Sequence, residues 1–159
     1  MDLLEHACEL GKLLGNLQSL ELGLRSFLYH QQDPPHSPAA QGSSLLAPLV
    51  GDEVPENAFT DWSSLGQLVD RFNARVSVSD PTLVVDRSVV DLRDMLVHGR
   101  LSASSAAPPL RLVKFDKPVK GRARVTFSAE ITLDWLKSSV TRVRHEIEIV
   151  QRASADQAP

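Results

Sequence analysis

The stretch 121–150, GRARVTFSAEITLDWLKSSVTRVRHEIEIV, changes its hydrophobic period partway along. In its first part Ala123, Val125, Phe127, Ala129 and Ile131 alternate with Arg122, Arg124, Thr126, Ser128 and Glu130, the period of two that marks a half-buried strand. In its second part Leu136, Val140, Val143, Ile147 and Val150 recur at steps of three and four, which lays a single apolar seam along a helix. Thr132 and Asp134 open that helix with short polar side chains suited to its unpaired amides. A strand running straight into an amphipathic helix makes this a helical protein with a small β element.

Working outward, Leu110 to Phe115 is apolar enough to pair with the strand across the turn at 116–121, giving a hairpin over 110–131. Upstream, Asp2 to Gln32 carries Leu3, Ala7, Leu10, Leu14 and Leu17 at helical spacing, widened by Leu13, Leu20, Leu24, Phe27 and Leu28. Gly11, Gly15 and Gly23 interrupt this helix at about 1 kcal/mol each, and Gly11 with Gly15 would let a second helix approach closely, from this chain or another copy. Residues 33–60 hold half of the ten prolines and no periodicity, so they read as a long Pro-rich loop. Helical spacing returns from Trp62 to Val78 behind an Asp61 cap, and again from Asp80-Pro81 to His98, with Gly99 as the stop. Ser102 to Pro109 reads as a linker.

The expected fold is mainly α: a four-helix bundle with a β-hairpin inserted before the last helix. It forms one domain over 1–152, and 153–159 is a disordered tail. A helix-turn-helix DNA reader over 62–97 is disfavoured, since the turn VSVSDP is long and lacks glycine.

At 159 residues with 42% hydrophobic and 23% charged side chains, the chain has the composition of one globular domain, and no apolar run approaches the roughly 18 residues of a membrane span. No membrane partner is expected. The first ten residues contain acids and no lysine or arginine, the wrong electrostatics for a secretory leader, so the expected location is cytoplasmic. Cys8 is the lone cysteine, which excludes an internal disulfide or a thiolate metal cluster, and its expected role is a small buried apolar side chain. The net charge of −3 is uneven: residues 1–86 hold 4 basic and 12 acidic side chains, residues 87–159 hold 13 and 8. The basic half suits either a polyanion partner or one of two opposed solvated faces.

Within that half lies LRDMLVHGRL, Leu92 to Leu101. Drawn as a helix, Val85, Val89, Leu92 and Leu96 form the core stripe and Arg87, Asp91, Asp94 and His98 a polar one, which puts His98 one turn above Asp94. There the carboxylate can orient the imidazole. Arg93 points about 140° away from His98, towards Val89, Val90 and Val97, and needs an anion from elsewhere.

An arginine, a polar residue and a later histidine near the end of a bundle helix resemble the signature of the HEPN family (higher eukaryotes and prokaryotes nucleotide-binding). Arg93, Asp94 and His98 match it in order, with Gly99 and Arg100 following. Arg25 and His30 repeat the spacing, with Ser26 in place of the acidic second residue and without the following glycine. The resemblance implies an HEPN-like helical bundle that is a homodimer, joins two motifs in one cleft, and cleaves RNA without metal. It also implies a toxin–antitoxin or defence context with an antitoxin-like protein partner. In that chemistry an RNA 2′-hydroxyl attacks the adjacent phosphate, His98 moves the proton, and Arg93 and Arg100 hold the phosphate oxygens. The alternative is a non-catalytic HEPN-like dimerisation or binding module in which Arg93, Asp94 and His98 form a structural network.

The hairpin adds Arg111, Lys114, Lys117, Lys120, Arg122 and Arg124 against Asp116 alone, a charge pattern that suits either an RNA backbone or the protection of a sheet edge. Phe115 and Phe127 are expected in the core, so base stacking is not anticipated. Trp62 and Trp135 read as packing anchors, and His6, His30, His36 and His145 as surface or helix-end residues. No glycine-rich phosphate loop, nucleophile elbow or metal-ligand spacing is present, and no cofactor is expected.

Overall fold

A computed structural model describes residues 3–32, 49–54, 56–102 and 109–156. Most of the Pro-rich loop with His36, the interior of the 102–109 linker and residues 157–159 of the expected tail lie outside the described residues. Among the described residues four helices, α1 (Leu3–Gln32), α2 (Leu65–Ser79), α3 (Ser88–His98) and α4 (Leu133–Ala155), accompany three strands, β1 (Arg100–Ser102), β2 (Leu110–Phe115) and β3 (Val125–Ile131). The chain is mainly helical, and its strands form one antiparallel sheet in the order β1-β2-β3.

The contacts divide the chain into two compact units, Met1–Gln18 with Asp86–His145 and Ser19–Val85 with Glu146–Pro159, so α1 and α4 each contribute to both. In the first unit the buried side chains include Leu13, Leu17, Val89, Leu92, Leu112, Ile131, Leu136, Val140 and Val143. Removing this apolar surface from water is the main favourable contribution to the unit's stability. His6, expected at the surface, is buried here, and its Nε2–H donates to the Ile131 carbonyl at 2.6 Å, supplying an acceptor with a partner at the end of β3. Cys8, expected inside, is exposed.

In the second unit Leu20, Leu24, Phe27, Leu28, Leu68, Val69, Phe72 and Val76 are buried, and the rings of Phe27 and Phe72 meet edge-on at 4.7 Å. Close helix approach occurs at Gly23, where an added Cβ would lie 3.4 Å from Val150 of α4, and not at Gly11 or Gly15, which face open space. The α4 seam also differs from expectation. Ile149 and Ala153 are buried and Ile147 only half so, and the helix continues beyond Arg152 to Ala155.

Two helix starts are shifted. α2 is capped by Ser64, whose hydroxyl accepts from the Gln67 amide while the Gln67 side chain accepts from the Ser64 amide. Asp61 is engaged elsewhere: its carboxylate accepts from Arg25 at 3.0 Å, from Arg71 at 2.9 Å and from the Ser63 amide. Arg25 also donates to Glu21 and to the carbonyls of Ala58 and Ser63, so the second arginine–histidine match in the sequence serves to fasten residues 58–63 to α1. Trp62, expected as an anchor in this segment, is fully exposed.

The single helix expected from Asp80 to His98 is interrupted. Pro81–Leu83 forms one 3-10 turn, Val84 is extended, and the Asn73 side chain pairs with both the amide and the carbonyl of Val85 at 2.9 Å. With its backbone groups taken by that amide, Val85 has no need of a helical ladder. α3 then begins at Ser88, where the Asp86 carboxylate accepts from the Ser88 amide and hydroxyl.

Candidate functional site

α3 ends and β1 begins across one residue, Gly99, which has ordinary extended backbone angles. A glycine is required there by close approach. An added Cβ would strike the Met95 carbonyl oxygen and come within 2.6 Å of Leu112 Cδ1 on β2. The helix end is thereby pressed against the sheet, and β1, a strand not expected from the sequence and overlapping the expected linker only at Ser102, pairs Arg100 with Val113 and Leu101 with Leu112.

Side chains two apart on a strand share a face, so this register makes Phe115 the diagonal neighbour of Arg100 on the face of Val113. The Arg100 guanidinium carbon sits 5.4 Å from the Phe115 ring centre, a cation–π contact. β2 and β3 keep regular pairing from Leu110↔Ile131 to Lys114↔Phe127, after which Phe115 pairs with Val125, leaving Thr126 as an extra residue whose hydroxyl donates to the Lys114 carbonyl. Such bulges bend a strand and re-aim its side chains. Phe115, expected in the core, is 39% exposed.

Beside it opens a hollow of about 340 Å³. His98 and Arg100 border it from the helix–strand junction, Phe115, Asp116 and Lys117 from the end of β2, and Pro118 and Ala123 complete its wall. His98 is exposed at this mouth. An imidazole, a guanidinium and an ammonium group thus share one open concavity with an aromatic ring.

The other expected site residues are placed differently. Arg93 does not border the hollow: its guanidinium donates to the Asp94 carboxylate at 3.3 Å, with the two side chains 34% and 39% exposed. The expected Asp94–His98 contact is absent among the described residues, because the adjacent guanidinium offers the carboxylate a permanent charge and several donors. An exposed ion pair of this kind contributes little, about 0–1 kcal/mol. It leaves Arg93 open to exchange Asp94 for another anion.

On the hairpin, Arg111 is occupied by its cross-strand neighbours, donating to Ser128 at 3.2 Å and Glu130 at 3.4 Å. Lys114 is half-buried. Lys120, with φ of 51°, and Gly121, with φ of 76°, make the reversal that joins Val119 to Arg122, and Lys120, Arg122 and Arg124 are exposed around that tip, outside the hollow. Sequence reading did not place Phe115 at the site. The available signal was the motif's Gly99-Arg100, since a stop followed by a charged residue and Leu101 can begin a strand.

Among the described residues no three His, Cys, Asp or Glu side chains come together as a metal cage, and no helix is long and apolar enough to cross a membrane. Comparison with protein-family models, curated proteins and solved structures finds no match for this chain.

Proposed function

We propose that this chain is a metal-independent endoribonuclease of HEPN type, a four-helix HEPN-like bundle acting as a homodimer in the cytoplasm, in a toxin–antitoxin or defence setting with an antitoxin-like partner. The observation carrying this reading is the placement of His98, Arg100 and Lys117 around one solvent-open hollow, the first two belonging to the His-Gly-Arg end of the motif. A ribose 2′-hydroxyl gives up its proton and attacks the neighbouring phosphorus, forming the cyclic phosphate as the bond to the 5′-oxygen breaks and that oxygen takes up a proton. His98 is suited to move a proton in this exchange, and Arg100 and Lys117 to neutralise the phosphate oxygens. Arg93, outside the hollow of its own chain, has a place in the chemistry when a second copy supplies a phosphate or a second motif in exchange for Asp94. The basic tip at Lys120, Arg122 and Arg124 suits the flanking RNA backbone.

The Arg93–Asp94 pair also favours a second reading, a non-catalytic HEPN-like dimerisation or binding module in which that pair is structural. Incubating the purified protein with RNA in EDTA separates the two. The nuclease reading expects cyclic-phosphate ends, loss of cleavage in His98→Ala and Arg93→Ala, and survival of DNA, which lacks the attacking hydroxyl. RNA left intact by a dimeric protein, with or without its partner, sinks the nuclease and leaves the module.

A further inference from the structure

We propose that Phe115, backed by Arg100, is a stacking platform that seats one unpaired nucleobase beside His98, so that the substrate is single-stranded RNA. This rests on the nuclease reading for the identity of the polymer. The platform itself rests on the local geometry.

An exposed phenylalanine on its own would be unremarkable. This one lines a concavity: the register brings it diagonal to Arg100, the extra residue at Thr126 bends β3 opposite it, and the ring, 39% exposed, borders the same hollow as His98. Ring and guanidinium lie 5.4 Å apart, offering contiguous apolar and cationic surface. Bases in single strands stack on aromatic rings and on guanidinium planes alike.

A purely apolar ligand does not fit the remaining walls, where Lys117, Asp116 and His98 are polar. A nucleotide matches both halves, its flat base on the ring face that Arg100 does not cover and its phosphate towards Lys117 and His98. Asp116, the carboxylate of the lining, repels a second phosphate and so directs the backbone to the cationic side. The volume of about 340 Å³ stands at the small end of ligand pockets, of about 300–1,000 Å³, with space for one nucleotide. A duplex keeps its bases stacked on one another and has none to offer.

The test uses the full chain and a short 2′-O-methyl single strand carrying 2-aminopurine, which binds but cannot be cut. Stacking on Phe115 is expected to change the 2-aminopurine emission on binding. Phe115→Leu, which keeps apolar bulk, is expected to lose that change and bind about tenfold more weakly, Phe115→Trp to restore both, and a base-free polyphosphate to bind wild type and Phe115→Leu equally. Thermal melting that matches wild type establishes that the leucine variant is folded. Equal affinity and equal emission change in wild type and Phe115→Leu would overturn the platform, as would preference for a duplex. If the emission change is present while natural RNA stays uncut, the nuclease reading falls and the platform stands. If RNA is cut and Phe115→Leu binds like wild type, the platform alone falls.

Discussion

Replacing Asp61 by asparagine keeps the shape of the side chain and removes its charge from between Arg25 and Arg71. Partial burial acts to raise the Asp61 carboxyl, but the Ser63 amide, Arg71, the Ser63 hydroxyl and Arg25 outweigh it and hold the pKa down from 3.8 to about 2. At about 1.4 kcal/mol per pH unit, this difference is worth roughly 2 kcal/mol of stability, and the 21% exposure of the carboxylate leaves it only lightly screened. The folded pKa lies below the unfolded one, so the contribution is complete above 3.8 and disappears as pH falls through 3.8 towards 2. Asp61→Asn should therefore be destabilised by about 2 kcal/mol at pH 7, or about 4–8 °C in Tm for a chain of this length, and by about half that at pH 3. Urea unfolding of both proteins at the two pH values reads the gap. A gap of the same size at pH 7 and pH 3, or none at pH 7, refutes the assignment of this stability to the carboxylate.

Gly99→Ala should lower stability by about 1–3 kcal/mol through overpacking against Met95 and Leu112, whereas Gly11→Ala and Gly15→Ala, facing open space on α1, should each raise it by about 0.4–1 kcal/mol. Thermal melts of the three variants decide, and a stable Gly99→Ala would mean that helix end and sheet are not in close contact. His6→Leu should cost about 1–3 kcal/mol by leaving the Ile131 carbonyl without its donor; an unchanged urea midpoint would show that the imidazole contributes only its bulk.

Legibility followed the length over which a pattern repeats. α1 and α4 run 30 and 23 residues, enough for the apolar spacing to average over local exceptions, and both are visible in the sequence. The 80–98 segment was misread because its break depends on Asn73, whose side chain binds Val85 from 12 residues away, a contact no window of periodicity contains. The Asp61 cap failed similarly: two arginines from α1 and α2 claim the carboxylate, and Ser64 with Gln67, a readable capping pair, takes its place. β1 has three residues, all exposed, and carries no alternation to detect.

That short strand is what assembles the candidate site. A helical wheel sets His98 and Arg93 about 140° apart, and extending the wheel past Gly99 would carry Arg100 out of the imidazole's neighbourhood as well. Because the chain instead turns into extended backbone at Gly99, His98 at the last position of α3 and Arg100 at the first of β1 border the same hollow. The residue between them cannot carry a side chain in this arrangement, since Met95 and Leu112 already fill the space of its Cβ. In the sequence motif the glycine reads as a helix stop; in three dimensions it lets an imidazole and a guanidinium from different elements border one hollow. Its necessity comes from that packing, so on the proposed nuclease reading Gly99→Ala is expected to weaken RNA binding, measured by titration of a short single strand, as well as stability.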